Sequence, residues 1–198
     1  MHASGEANDS MRFLALDHPD RAAWPAALEI YHEAFPDPKG RKPDRVIERM
    51  FGEGQGLLFA LAEESGGVSA FAFAGVLPEA NVLLIDYIAV RASERRRGLG
   101  GKLMEEIEEE ARRRKLDGLL IEVEAEETPD NLARIRFWLS CGFELTEYVH
   151  AYTWVPEPYR AMILSFDPAK PLPADGKKLF KHISKFHSRA YRGYTDKG

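Results

Sequence analysis

Apolar positions along the chain follow two rhythms, separated by glycine, proline and Asx turns. Met11 to Leu16 alternates enough for an edge strand. Asp20 to Phe35 sets Trp24, Leu28, Tyr31 and Phe35 at roughly helical spacing, and Pro36, Pro38 and Gly40 end that helix. A short helix is expected from Pro43 to Phe51, with proline at its first position. Leu57–Ala62 and Val68–Val76, joined by Glu64-Ser65-Gly66-Gly67, predict a hairpin. The turn Pro78–Asn81 leads into a strand over Leu83–Val90. Leu99 to Leu116 then carries a helical stripe at positions 99, 103, 107 and 111, stopped by Asp117-Gly118. Leu119–Ala125 is a further strand, and Thr128-Pro129-Asp130-Asn131 opens a helix to about Cys141. Gly142 sits where a C-cap glycine belongs. Phe143–Val155 and Ala161–Phe166 predict two closing strands around the Pro156–Pro158 turn. Pro168–Gly176 looks like a linker, after which Leu179, Ile183 and Phe186 place an apolar stripe on a basic helix.

A strand–helix–strand unit should be parallel and right-handed. The order therefore predicts an α/β (mixed α+β) fold: a twisted mixed sheet of about seven strands with helices on both faces. Residues 1–10 read as a disordered leader, 11–166 as one domain, and 167–198 as a linker plus a basic amphipathic helix.

Composition narrows the classes of function. The length of 198 residues suits one domain. One cysteine, Cys141, excludes an internal disulfide framework and a thiolate metal cluster. That fits a reducing cytoplasm, as does the small, polar stretch from Met1 to Ser10, which lacks a signal-peptide core. No apolar run approaches the roughly 20 residues of a membrane span, so no membrane partner is expected. A net charge of −5 argues against nucleic acid as a bulk partner. From Asp167 onward, however, eight Lys/Arg face three Asp. This tail is expected to pack its stripe on the domain or on a second subunit, the alternative being attraction of an acidic partner. The chain is thus a monomer or a homodimer. Its six histidines show no metal spacing, so no metal is expected.

The chemistry-bearing motif is Arg95-Arg96-Arg97-Gly98-Leu99-Gly100-Gly101-Lys102, between the 83–90 strand and the 99–116 helix. Glycines let the main chain approach an anion closely and visit positive φ. A helix N-terminus offers unpaired N–H groups and partial positive charge. The arginines add attraction and forked donors. Strand, basic glycine turn and helix together are suited to hold a pyrophosphate. The bland alternative is a polar loop capping a helix. A dinucleotide fold would place its glycines after the first strand, with an acid about 20 positions on. Glu122 is near that distance, but Gly98 and Gly100 follow several strands and no second Gly-x-x-Gly spacing follows.

A second motif lies about thirty residues on: Asn131, then Trp138, then Gly142-Phe143. The two motifs, Arg95-x-x-Gly98-x-Gly100 and this one, resemble those of the GNAT superfamily of acyl-CoA-dependent N-acetyltransferases over residues 12 to 166. Arg134-Ile135-Arg136-Phe137-Trp138 and Tyr152…Pro158-Tyr159 look like a bacterial subgroup of unassigned substrate. The resemblance implies acetyl-CoA (coenzyme A) as cofactor, its pyrophosphate cradled by the amides of 96 to 101. It implies that the main chain near Ile88, Ala89 and Val90 binds the pantetheine arm. The next strand, Leu119–Ala125, should diverge to leave a V-shaped opening between splayed central strands. It also places Asn131, Phe137 and Trp138 with the cofactor.

An alkyl amine with a pKa near 10.4 is neutral in only about one molecule in 10³ at pH 7.4, a cost of roughly 4 kcal/mol. A carboxylate is the simplest remedy. Candidates are Asp86 on the central strand and Glu122 and Glu124 on the diverging one. Asp86, Ile88 and Val90 share a face only if the strand is regular; a bulge would switch faces. The family's usual tyrosine acid falls at Trp138, whose indole cannot release a proton. The thiolate leaving group needs less help, roughly 2 kcal/mol, and Tyr148, Tyr152 or Tyr159 are substitute acids. The expected activity is acetyl transfer to a small-molecule amine by direct attack in a ternary complex. Alternatives are a protein Lys or N-terminal acetyltransferase and a non-catalytic acyl-CoA binder.

Overall fold

The computed structural model describes residues 11–64 and 66–194; the expected leader, residues 1–10, lies outside the described residues. Seven strands form one mixed sheet: β1 (Arg12–Leu16), β2 (Leu57–Ala62), β3 (Val68–Leu77), β4 (Val82–Val90), β5 (Gly118–Glu124), β6 (Glu144–Ala151) and β7 (Pro158–Ser165). Their order is β1-β2-β3-β4-β5-β7-β6. Among the described residues only β4 and β5 pair in parallel, joined by the crossover helix α3 (Leu99–Arg113). The closing strand β7 slots between β5 and β6, an order the periodicity could not supply.

The helices are α1 (Ala23–Ala34), α2 (Asp44–Gly52), α3, α4 (Pro129–Ser140) and α5 (Gly176–Ala190). The α3 stripe at Leu99, Leu103, Ile107 and Ala111 is buried, as its spacing predicts. It packs with Leu83, Ile85, Leu119, Ile121, Trp138 and Phe143 on one face of the sheet. On the other face, α1 and α2 cover Leu58, Ala60, Phe71 and Phe73. The α5 stripe, Leu179, Ile183 and Phe186, covers Leu84, Leu120, Ala161 and Ile163. The basic C-terminal helix is thus a wall of the core, capped at its start by Asp175, whose side chain accepts from the Lys178 amide. At its other end Arg49 of α2 donates to the Arg189 and Ala190 carbonyls.

Two irregularities shape the centre of the sheet. Phe73 pairs with Tyr87 but Ala74 pairs with Ile85, so Asp86 is an extra residue in β4. Such a bulge bends the strand and raises its twist. Pairing of β4 with β5 then runs from Val82↔Gly118 to Ile85↔Ile121 and stops. β5 continues instead against β7, through Glu122↔Ala161 and Glu124↔Tyr159. The β5-facing edge of residues 86–90 is left without a strand partner among the described residues. This is the expected splay, and the bulge supplies its physical cause.

Candidate active site

At the mouth of the opening, a short 3-10 turn (Ala92–Glu94) leads into the glycine turn. Arg96 and Gly98 both have positive φ, 66° and 76°. Gly98 is the N-cap of α3, and no side chain caps that helix among the described residues. Its first N–H groups are therefore available to an anion. A Cβ built on Gly98 or Gly101 would meet nothing within 4 Å, so both borders of the cradle are open. Gly100 and Gly101 lie inside the first turn of α3 rather than in the loop. Arg95, Arg96 and Arg97 are exposed around the turn, with Arg97 paired to Glu94 and Arg95 donating to the Val90 carbonyl. Leu99 buries its side chain in the core, so its contribution here is its main chain.

Behind the mouth, Ile88 and Val90 direct their side chains to the α3 face and Ala89 to the α1 face. That leaves main-chain groups along the opening. Phe137 on α4 is half-exposed, 3.5 Å from where a Gly100 Cβ would stand. It borders a cavity of about 320 Å³ between α3 and α4, lined also by Gly101, Met104, Cys141 and Leu164. Trp138 is buried and packs edge-on against Phe143, with centroids 5.4 Å apart. Asn131 is buried too. Its Nδ2 donates to the Glu126 carbonyl at 3.0 Å and its Oδ1 accepts from Arg134, tying the β5–α4 loop. Burial pushes the Cys141 thiol up from its ordinary range, which disfavours the thiolate.

The carboxylates on β4 and β5 differ sharply in their partners. The bulge lets Asp86 and Tyr87, adjacent in sequence, both reach Lys42. Lys42 Nζ donates to both Asp86 oxygens at 2.8 and 2.7 Å, with both side chains only 5% exposed. The Lys42 amide donates to the Tyr87 hydroxyl at 2.9 Å, and the Tyr31 hydroxyl donates to the Lys42 carbonyl at 2.8 Å. Burial by itself would strip the Lys42 proton, but the Asp86 carboxylate reverses this and holds its pKa above the ordinary value. Asp86 is therefore occupied by a permanent cation.

Glu122 occupies the same face of the sheet on β5. Its Oε1 accepts from the Tyr152 hydroxyl at 2.5 Å, and its Oε2 meets His187 Nε2 at 2.7 Å. The side chains of His187 and Glu122 are 12% and 14% exposed. Burial would raise the Glu122 carboxyl, but His187, by its charge when protonated and by its hydrogen bond, and the Tyr152 hydroxyl outweigh it and hold the pKa below its ordinary value. Tyr152 is raised, first by burial and then by the Glu122 charge. The phenol keeps its proton and donates it in the hydrogen bond to the carboxylate. Glu124 is a surface group, 3.7 Å from Arg134. Tyr159, opposite it, is pushed up to about 12, first by burial and then by Glu124. Tyr148 packs near His150 and Phe180 instead of reaching these carboxylates.

Of the candidate acid–base residues, the structure brings Glu122 and Tyr152 together and sets Asp86, Glu124 and Tyr148 in separate contacts. Lys42 and His187 are the members that sequence reasoning missed. A buried lysine beside a proline gives no local signal. The histidine lies directly after the Phe186 stripe position, which marked its helix but not its partner.

The family model for the acetyltransferase (GNAT) family matches residues 24–143, more than half of the chain. The protein belongs to that family. A search of curated proteins gave no match. Among solved structures, the chain is similar to the ribosomal-protein-S18-alanine N-acetyltransferase from Escherichia coli, at 25% identity and TM-score 0.57 over 81% of this chain and 97% of that one. It is similar in fold to Arabidopsis thaliana NAA60 in complex with acetyl-CoA, at 15% identity and TM-score 0.62, covering 79% and 99%. It is also similar in fold to a Bacillus subtilis acetyltransferase in complex with CoA, at 12% identity and TM-score 0.58, covering 80% and 100%. Helix α5 lies beyond the 24–143 match. Among the described residues no helix is long and apolar enough to cross a membrane.

Proposed function

We propose that this protein transfers the acetyl group of acetyl-CoA to the amine of a small acceptor by direct attack in a ternary complex. One juxtaposition carries the reading: an uncapped glycine-bordered helix N-terminus at the mouth of the splayed β4–β5 pair, with a buried carboxylate cluster just past the point of splay. Acetyl-CoA supplies an activated acyl carbonyl when bound. The amides of 98–101 would hold its diphosphate, with Arg95 and Arg96 adding charge. The free edge of residues 88–90 would align its arm by main-chain bonds.

The face that carries Asp86 and Glu122 is walled by α1, α2 and α5. Lys42 and Asp86 neutralise each other and hold that wall in place. The Glu122 cluster removes the ammonium's proton, the larger of the two proton-transfer costs. Tyr152, its hydroxyl bound to Glu122, fixes that carboxylate rather than serving the leaving thiol. The enclosure of Glu122 by α5 favours a small amine over a folded protein surface. The reaction is tested by thiol release from acetyl-CoA across a panel of alkyl and amino-acid amines. Saturable turnover with one class supports the reading. Saturable binding without turnover identifies a non-catalytic acyl-CoA binder. Acetylation confined to protein N-termini or lysines, read by mass spectrometry, gives the protein-directed alternative.

A further inference from the structure

Two atoms of His187 are in contrasting states. Nε2 is hydrogen-bonded to Glu122 Oε2 at 2.7 Å. Nδ1 is buried and has no hydrogen-bond partner among the described residues. An ionised carboxylate can only accept, so Nε2 is the donor in that bond. The neutral imidazole then carries its lone pair on Nδ1. A buried, unmatched acceptor costs about 1–3 kcal/mol, and such orphans point to a catalytic role or an absent small partner. A carboxylate behind the opposite nitrogen fixes the tautomer and the orientation of the ring. The ring is further held edge-on between Tyr152 and Phe186, at 6.0 and 5.6 Å between centroids. The whole arrangement is delivered by α5, an element outside the region matched by the family model.

Resting on the acetyl-transfer reading, we infer that His187 Nδ1 is the base that receives the acceptor ammonium's proton, with Glu122 as its positioning residue. One N–H proton of the ammonium passes to Nδ1, leaving a neutral amine and an imidazolium held by Glu122. The nitrogen forms its bond to the acetyl carbon as the carbon–sulfur bond breaks with the electron pair on sulfur. The second N–H proton leaves the nitrogen and the thiolate ends as the thiol. His187 returns the first proton to solvent, so the net products are amide, CoA thiol and one proton. The other groups acting on this cluster are Tyr152 and the Lys42 ammonium, His150 on β6, Tyr159 on β7, and Asp86 through Tyr152.

The test compares full-length wild type with His187→Gln and His187→Ala. Gln retains an N–H for Glu122 but cannot accept a proton. With alkyl amines, both variants should lose roughly 10²-fold or more in kcat and the acidic limb of the pH profile, while acetyl-CoA affinity and thermal midpoint of the Gln variant stay near wild type. The loss should shrink for an aniline-type acceptor, already neutral at the assay pH. Independently of turnover, ¹⁵N NMR should show the resting His187 ring protonated at Nε2 and bare at Nδ1. A Gln variant with wild-type kcat and pH profile overturns the histidine's role, as does a ring protonated at Nδ1 alone. Absence of wild-type turnover across the amine panel overturns the acetyl-transfer reading itself.

Discussion

Asp86 and Glu122 are carboxylates on neighbouring strands, on one face of one sheet, each buried against one basic side chain brought from far along the chain. Lys42 is 44 residues from Asp86, and His187 is 65 residues from Glu122. The difference lies in the cation. An ammonium whose proton is held by its partner behaves as a fixed charge, and the pair acts as a rivet. A neutral imidazole has a nitrogen that accepts as well as one that donates, whereas an ammonium only donates. Location on a strand near the opening therefore does not by itself assign a carboxylate its role.

The largest expected effect breaks the rivet. Lys42→Ala leaves Asp86 buried without its cation and should cost about 3–5 kcal/mol. For a chain of this size that lowers the thermal midpoint by roughly 6–20 °C; an unchanged midpoint would mean that the pair holds nothing. Next, Glu122→Gln should lower kcat by about 10²-fold while calorimetric acetyl-CoA affinity is preserved. A loss confined to KM would move the carboxylate from chemistry to acceptor binding. Gly98→Val forces a β-branched residue into the left-handed region, a strain of about 1–3 kcal/mol. Titration calorimetry should show weaker acetyl-CoA binding by roughly tenfold, with little change in kcat at saturation. Tyr152→Phe removes one hydrogen bond to Glu122, and about 1 kcal/mol is expected, so kcat should fall less than with Glu122→Gln. A larger fall would return Tyr152 to the role of acid. The smallest effect is in acid. The Glu122 pKa lies below its ordinary 4.5 in the fold. Its contribution to stability is therefore full above about pH 4.5 and fades as pH drops through the lowered value. Hydrogen exchange of α5 amides should accelerate in that range before that of α3.

The α3 half of the site was legible in the sequence because its signals are local. Strand, Gly98 turn and the stripe at 99, 103, 107 and 111 follow one another without a break, and each is read from spacing alone. The strand order β5-β7-β6 and the bulge were not, since pairing partners leave no mark on a single strand. The two carboxylates were found as residue types, but their roles are set by Lys42 and His187, whose positions depend on how α2 and α5 dock. Trp138 shows the opposite case: a motif position whose side chain the fold uses for packing against Phe143.

The inserted residue at position 86 has an evolutionary arithmetic of its own. Without it, Ile85, Tyr87 and Ile88 would still alternate sides, so a one-residue deletion would leave the downstream faces unchanged. What it would remove is the bulge beside the point where β4 parts from β5, and with it the carboxylate that pairs the buried Lys42. Insertions and deletions are usually tolerated in loops and rejected in strands; here a single strand residue carries both the irregularity of the central sheet and one half of its buried ion pair.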